Sequence, residues 1–81
     1  MSATPHERLV KCFAAVFPRL SPEEIPRANI NSVSAWDSLA TLTLTSVIEE
    51  EFSVTIDPRE REDLVSFELI LAYLRSDKGV S

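Results

Sequence analysis

The chain's 81 residues include one glycine, one cysteine and one histidine, and no apolar run approaches membrane-spanning length. A lone glycine with no hairpin signal gives a β-rich chain little support and leans towards helices. Cys12, without a second cysteine, forms no internal disulfide and no cysteine-rich metal site. Met1-Ser2-Ala3-Thr4-Pro5 lacks the basic and apolar blocks of a secretory leader, so the sequence reads as cytoplasmic with no membrane segment. Neither a repeat nor a low-complexity tract is present, and the length predicts one domain with a modest core.

Positive charge is also scarce in the second half of the chain. Residues 1 to 36 carry four basic and three acidic side chains, whereas residues 37 to 81 carry four basic and ten acidic ones. That acidic half repels nucleic acid and anionic membrane and favours basic patches on protein partners.

What is present is a series of helix starts. Thr4-Pro5-His6-Glu7 reads as an N-cap, a first-position proline and a capping-box glutamate, opening a helix over about 5–17 that Pro18 terminates. Leu9, Cys12, Phe13 and Val16 share one face, so Cys12 reads as a small core residue and His6 as a solvated one. Residues 18–36 have no periodicity and form a long loop, packed down by Leu20, Ile25, Ile30 and Val33, with one helical turn capped from Ser21. Val54 and Ile56 suit an extended connection under the bundle. Asp57-Pro58 opens a short charged helix over about 58–63 that has little to bury, and Ser66 caps a last helix over about 67–76. Phe67, Ile70, Leu71 and Leu74 are its buried stripe. The class is all-α: a four-helix bundle of three main helices and a short third one, closed around these residues and Val47, Leu44, Ile48 and Phe52.

The helix over about 38–52 organises the rest. Asp37 is a favoured N-cap, which puts the Ser38 hydroxyl at the first helical position, beside free N–H donors and the positive end of the dipole. A phosphate ester is electrostatically welcome there, so Ser38 is the candidate modification site. Ala40, Leu44, Val47, Ile48 and Phe52 form the apolar sector. Leu39 and Leu42 are stranded opposite it with Thr43, Ser46, Glu49 and Glu50, a face suited to docking a partner. Single exposed leucines are also ordinary, and Ser38 is also readable as a simple first-turn serine.

Asp37-Ser38-Leu39, followed by Glu49-Glu50-Glu51-Phe52, Val54-x-Ile56 and the Ser66-to-Leu74 helix, resembles the acyl carrier proteins. The resemblance covers the chain from the first helix to the last and implies a bundle of the acyl-carrier type. It implies that Ser38, flanked by Asp37 and Leu39, carries 4′-phosphopantetheine attached from coenzyme A by a phosphopantetheinyl transferase. Acyl groups then ride as thioesters on the terminal thiol, presented by a monomer to acyl-loading and acyl-processing enzymes. The protein itself supplies no catalytic residue and no metal site. The outer face of the second helix becomes the partner surface, through Leu39, Leu42, Thr43, Ser46, Glu49 and Glu50. Fatty-acid-synthesis members typically have glutamate where Thr43 stands and methionine where Ser46 stands. They also commonly have glycine where Ser53 stands, and a small residue where Trp36 stands. Those departures favour a specialised polyketide, secondary-metabolite or fatty-acid-like pathway. A mostly aliphatic core and a mobile short helix would let an acyl chain fold back between the helices. A peptidyl or aminoacyl carrier, and an unmodified acidic interaction bundle, are the alternatives.

Overall fold

The computed structural model describes residues 3–80; Met1, Ser2 and Ser81, and with them part of the reading of the N-terminus as leader-free, lie outside the described residues. The described chain is a small all-α fold with three α-helices, α1 (Pro5–Val16), α2 (Ser38–Phe52) and α3 (Phe67–Asp77). Single 3-10 turns at Ile25–Arg27 and Arg61–Asp63 interrupt the two connections. No helix among these residues is long and apolar enough to cross a membrane.

Each α-helix begins where a local cap places it. The Glu7, Ala40 and Leu69 N–H groups donate to Thr4 Oγ1, Asp37 Oδ1 and Ser66 Oγ at 3.1, 2.8 and 3.1 Å, satisfying donors that the first turn leaves free. Three boundaries differ from the sequence reading. α1 stops at Val16, and Phe17 folds inward as its C-cap. α3 continues to Asp77, where Gly79 at φ 63° lets the Val80 N–H return to the Leu74 carbonyl at 3.1 Å. The helix expected over 58–63 is only a turn followed by three 3-10 residues. Asp57 does not cap a helix: its Oδ1 accepts from the Arg59 N–H at 2.8 Å, and the Glu60 N–H closes on the Asp57 carbonyl. With charge at nearly every position, only Leu64 is left to anchor the segment, and a helix with no apolar stripe has no tertiary support.

The core forms where α1 lies on α2 and α3 packs against α1 and the Ile25–Arg27 turn, with Phe13, Phe67, Leu9, Ile25, Leu44, Ile48, Ile70 and Leu74 innermost. Val16, Val47 and Leu71, expected inside, are half-buried at its margin. The core is mostly aliphatic, as expected, with an aromatic cluster at its centre. Phe13 meets Phe67, Trp36 and Phe17 at ring separations of 5.2, 5.4 and 6.0 Å, a geometry that favours edge and tilted contacts. His6, at the surface, lays its ring edgewise on Phe67 at 5.1 Å, so it is not purely a solvated side chain.

The long loop is pinned at three points. Ser21 and Glu24 exchange hydrogen bonds in a capping box before the Ile25–Arg27 turn, which buries Ile25 and Ala28. Asn29 folds the next bend by accepting from the Asn31 and Ser32 N–H groups. An antiparallel bridge between Asn29 and Ser66 then ties the loop to the entrance of α3, the Ile30 N–H donating to Val65 and the Phe67 N–H to Ala28, each at 3.0 Å. Ile30, expected to pack the loop down, is instead 42% exposed. The bridge turns it outward, towards the start of α2.

Candidate functional site

The site is built by the residues around the first turn of α2. Trp36 is buried against Phe13 and Phe17, and its indole Nε1 donates to Thr41 Oγ1 at 2.9 Å. Thr41 Oγ1 donates in turn to the Asp37 carbonyl at 3.0 Å, and the Thr41 N–H meets the same carbonyl at 2.9 Å. The buried indole of Trp36 therefore braces its neighbour Asp37, the residue before Ser38, through Thr41 one turn on. Between this brace and the Asp37 cap, Ser38 is exposed, and its hydroxyl has no hydrogen-bond partner among the described residues. The backbone is held while the Oγ stays free.

Ser38 opens onto a groove of about 550 Å³ between the start of α2 and the Pro58–Val65 connection. Ile30, Trp36, Leu42, Pro58, Leu64 and Val65 give it apolar walls; Asp37, Thr41, Arg61 and Glu62 supply the polar groups. Such a lining accepts a chain that is apolar along its length and polar where it is attached.

The residues expected on the docking face separate into three groups. Leu39 is 71% exposed and Leu42 47%; Leu42 forms one wall of the groove, and Leu39 stands clear of it. Thr43, Ser46 and Glu50 are exposed beside them, with the Thr43 hydroxyl turned back onto the Leu39 carbonyl at 3.1 Å. Glu49 is half-buried, and its Oε2 accepts from the Ile56 N–H at 2.8 Å, so this carboxylate fastens the chain after α2. Threonines at 41, 43 and 45 all donate to carbonyls four residues back, which hides their polarity and lets Thr45 be buried.

Two features here escaped the sequence reading. The groove depends on the Asn29–Ser66 bridge and the Arg61 turn meeting α2, and such long-range pairings leave no periodic trace. Arg61 was only one charge among many in its segment, yet it is the only cation lining the groove among the described residues.

Cys12 is buried, and burial, with the Glu51 carboxylate adding to it, pushes its thiol from near 9 to about 11, Arg8 opposing. A thiol so placed is a packing group, as its helical face suggested. Among the described residues no three His, Cys, Asp or Glu side chains converge as a metal site. No protein-family profile matches the sequence, and no curated protein matches it.

Proposed function

We propose that the protein is a carrier of the acyl-carrier type, holding acyl groups as thioesters on a 4′-phosphopantetheine arm attached to Ser38. The observation that carries this reading is the Ser38 hydroxyl, exposed and unpartnered at the first position of a braced helix, at the mouth of an apolar groove. On a phosphopantetheinyl transferase, Ser38 Oγ attacks the phosphorus of coenzyme A that bears pantetheine. The new O–P bond forms as the bond to 3′-phosphoadenosine 5′-phosphate breaks, and the hydroxyl proton passes to a base on the transferase.

In this reading the chain does no chemistry on its cargo. Its work is presentation, since a tethered thioester reaches partner enzymes at an effective concentration set by the arm. Leu39 and Leu42, with Thr43, Ser46 and Glu50, are the surface offered to the transferase and to acyl-loading and acyl-processing enzymes. The few charges on this face before Glu50 favour partners of a specialised pathway. In this scheme the Arg61–Asp63 turn stands where an acyl-carrier bundle has its short third helix.

The test is intact-mass measurement after incubation with coenzyme A and a broad-specificity transferase. Wild type gains one phosphopantetheine and Ser38→Ala, with its fold unchanged by circular dichroism, gains none. No gain in wild type favours the unmodified interaction bundle, which the exposed Leu39 supports.

A further inference from the structure

Arg61 is the one cation lining the groove among the described residues, and the fold gives it neither an ion-pair nor a hydrogen-bond partner. Its Nε is sealed from solvent and has no hydrogen-bond partner among the described residues. The other arginine that packs onto structure, Arg8, is by contrast engaged by Glu51 and the Phe52 ring. Asp37 and Glu62 line the same groove, but neither comes within ion-pair distance of Arg61; the Asp37 carboxylate is committed to the Ala40 N–H. A guanidinium N–H withdrawn from water beside apolar walls calls for an acceptor, and an anionic oxygen serves best.

The geometry points to the occupant's chemistry. It must bring an anionic oxygen acceptor for Arg61, and next to that a compact apolar body for Ile30, Leu64 and Val65. An arm esterified to Ser38 has both, in that order: a phosphodiester at the attachment point and then a dimethyl-substituted carbon. We propose that Arg61 is a positioning residue that binds a phosphodiester oxygen of the arm on Ser38 and folds its first segment into the groove. This rests on the carrier reading above. The phosphodiester adds a third negative charge to a groove already lined by Asp37 and Glu62, and Arg61 is the cation that offsets it. The carrier then exists in two states, arm docked and arm swung out. A partner enzyme draws on the second by competing for the phosphate.

The experiment loads wild type, Arg61→Gln and Arg61→Lys and confirms attachment to Ser38 by intact mass. It then reads the phosphodiester ³¹P shift and the nuclear Overhauser contacts between the arm's geminal methyls and Ile30, Leu64 and Val65. Wild type shows the contacts, and its Arg61 Nε–H resonance moves between unloaded and loaded protein. In Arg61→Gln the docked-to-free ratio falls about tenfold or more, as for loss of a charge-assisted hydrogen bond. Arg61→Lys restores part of it, and raising salt to about 0.5 M weakens what remains. Equal melting temperatures of the unloaded proteins separate this from misfolding. If wild type takes no arm, the carrier reading fails and this one with it. If the arm attaches but neither the Arg61 resonance nor the methyl contacts respond, only the present inference is overturned.

Discussion

At its C-terminal end α2 is fastened to the rest of the molecule. Arg8 of α1 pairs with Glu51 at 2.9 Å, donates a second N–H to the Glu51 carbonyl and lies over the Phe52 ring at 4.4 Å. Glu49 ties down the Ile56 N–H one turn earlier. At its N-terminal end the backbone is as well secured, through Trp36, Thr41 and Asp37, but the Ser38 hydroxyl and Leu39 face outward unengaged, and the Nε of Arg61 across the groove has no partner among the described residues. One end spends its polar groups on the fold. The other commits Trp36, Asp37 and Thr41 to holding the backbone and leaves the Ser38 hydroxyl free, the division that the proposed carrier role requires, since a point of attachment is best fixed in space while its surface stays available.

The comparison is broken most severely by Trp36→Ala, which removes the brace and leaves a cavity among Phe13, Phe17 and Thr41. Its cost is about 3–5 kcal/mol by urea denaturation, a large share of the roughly 4–12 kcal/mol a chain of this size has. Trp36→Phe, which keeps most of the ring and loses the indole donor, costs about 1 kcal/mol from the hydrogen bond.

Near the fastened end, Cys12 gives a pH signature. The folded state holds the neutral thiol, so its contribution is fully present below the unfolded value near 9 and is lost as pH rises to about 11. Over that interval the unfolded chain binds fewer protons, and stability falls by about 2–3 kcal/mol. In Cys12→Ala, denaturation followed across the same pH range lacks that component of the alkaline loss.

Arg8→Ala opens the fastened end. The ion pair is partly solvated, so the loss is about 1–2 kcal/mol, most of it from the carbonyl hydrogen bond and the ring contact. Salt titration distinguishes them: only the ion-pair share is screened.

The smallest effect sharpens the contrast. Ser53 ends α2 in the left-handed region at φ 55°, where a side chain is strained. Ser53→Gly stabilises by about 0.5–1 kcal/mol in thermal denaturation, since the relief exceeds glycine's extra freedom in the unfolded chain. The proposed transferase loading at Ser38 is expected to be unchanged, because the two ends are held independently.

Much of this was legible in the residues. α2 spans 38–52 as expected, and each helix start falls on its capping residue, because a cap is a contact between neighbours three positions apart. Cys12 on the core face of α1 follows from periodicity in the same way. Periodicity misled where several faces compete for a small core: Val47 and Leu71 lie on apolar sectors yet reach only its margin. It said nothing of Trp36 or Ala28, which are buried from a loop, or of Glu49, whose partner is seven residues away beyond a chain reversal.

The sequence by itself determined where the three helices begin, which faces are apolar, and that Ser38 opens α2 behind an aspartate cap. These are properties of near neighbours, set by hydrogen-bond geometry over one turn. Only the tertiary structure decided what flanks that serine. The groove, the packing of the bracing indole and the unpartnered Arg61 Nε arise where segments distant in sequence come together, and whether a side chain's hydrogen-bonding capacity is met there depends on partners that local pattern does not reveal.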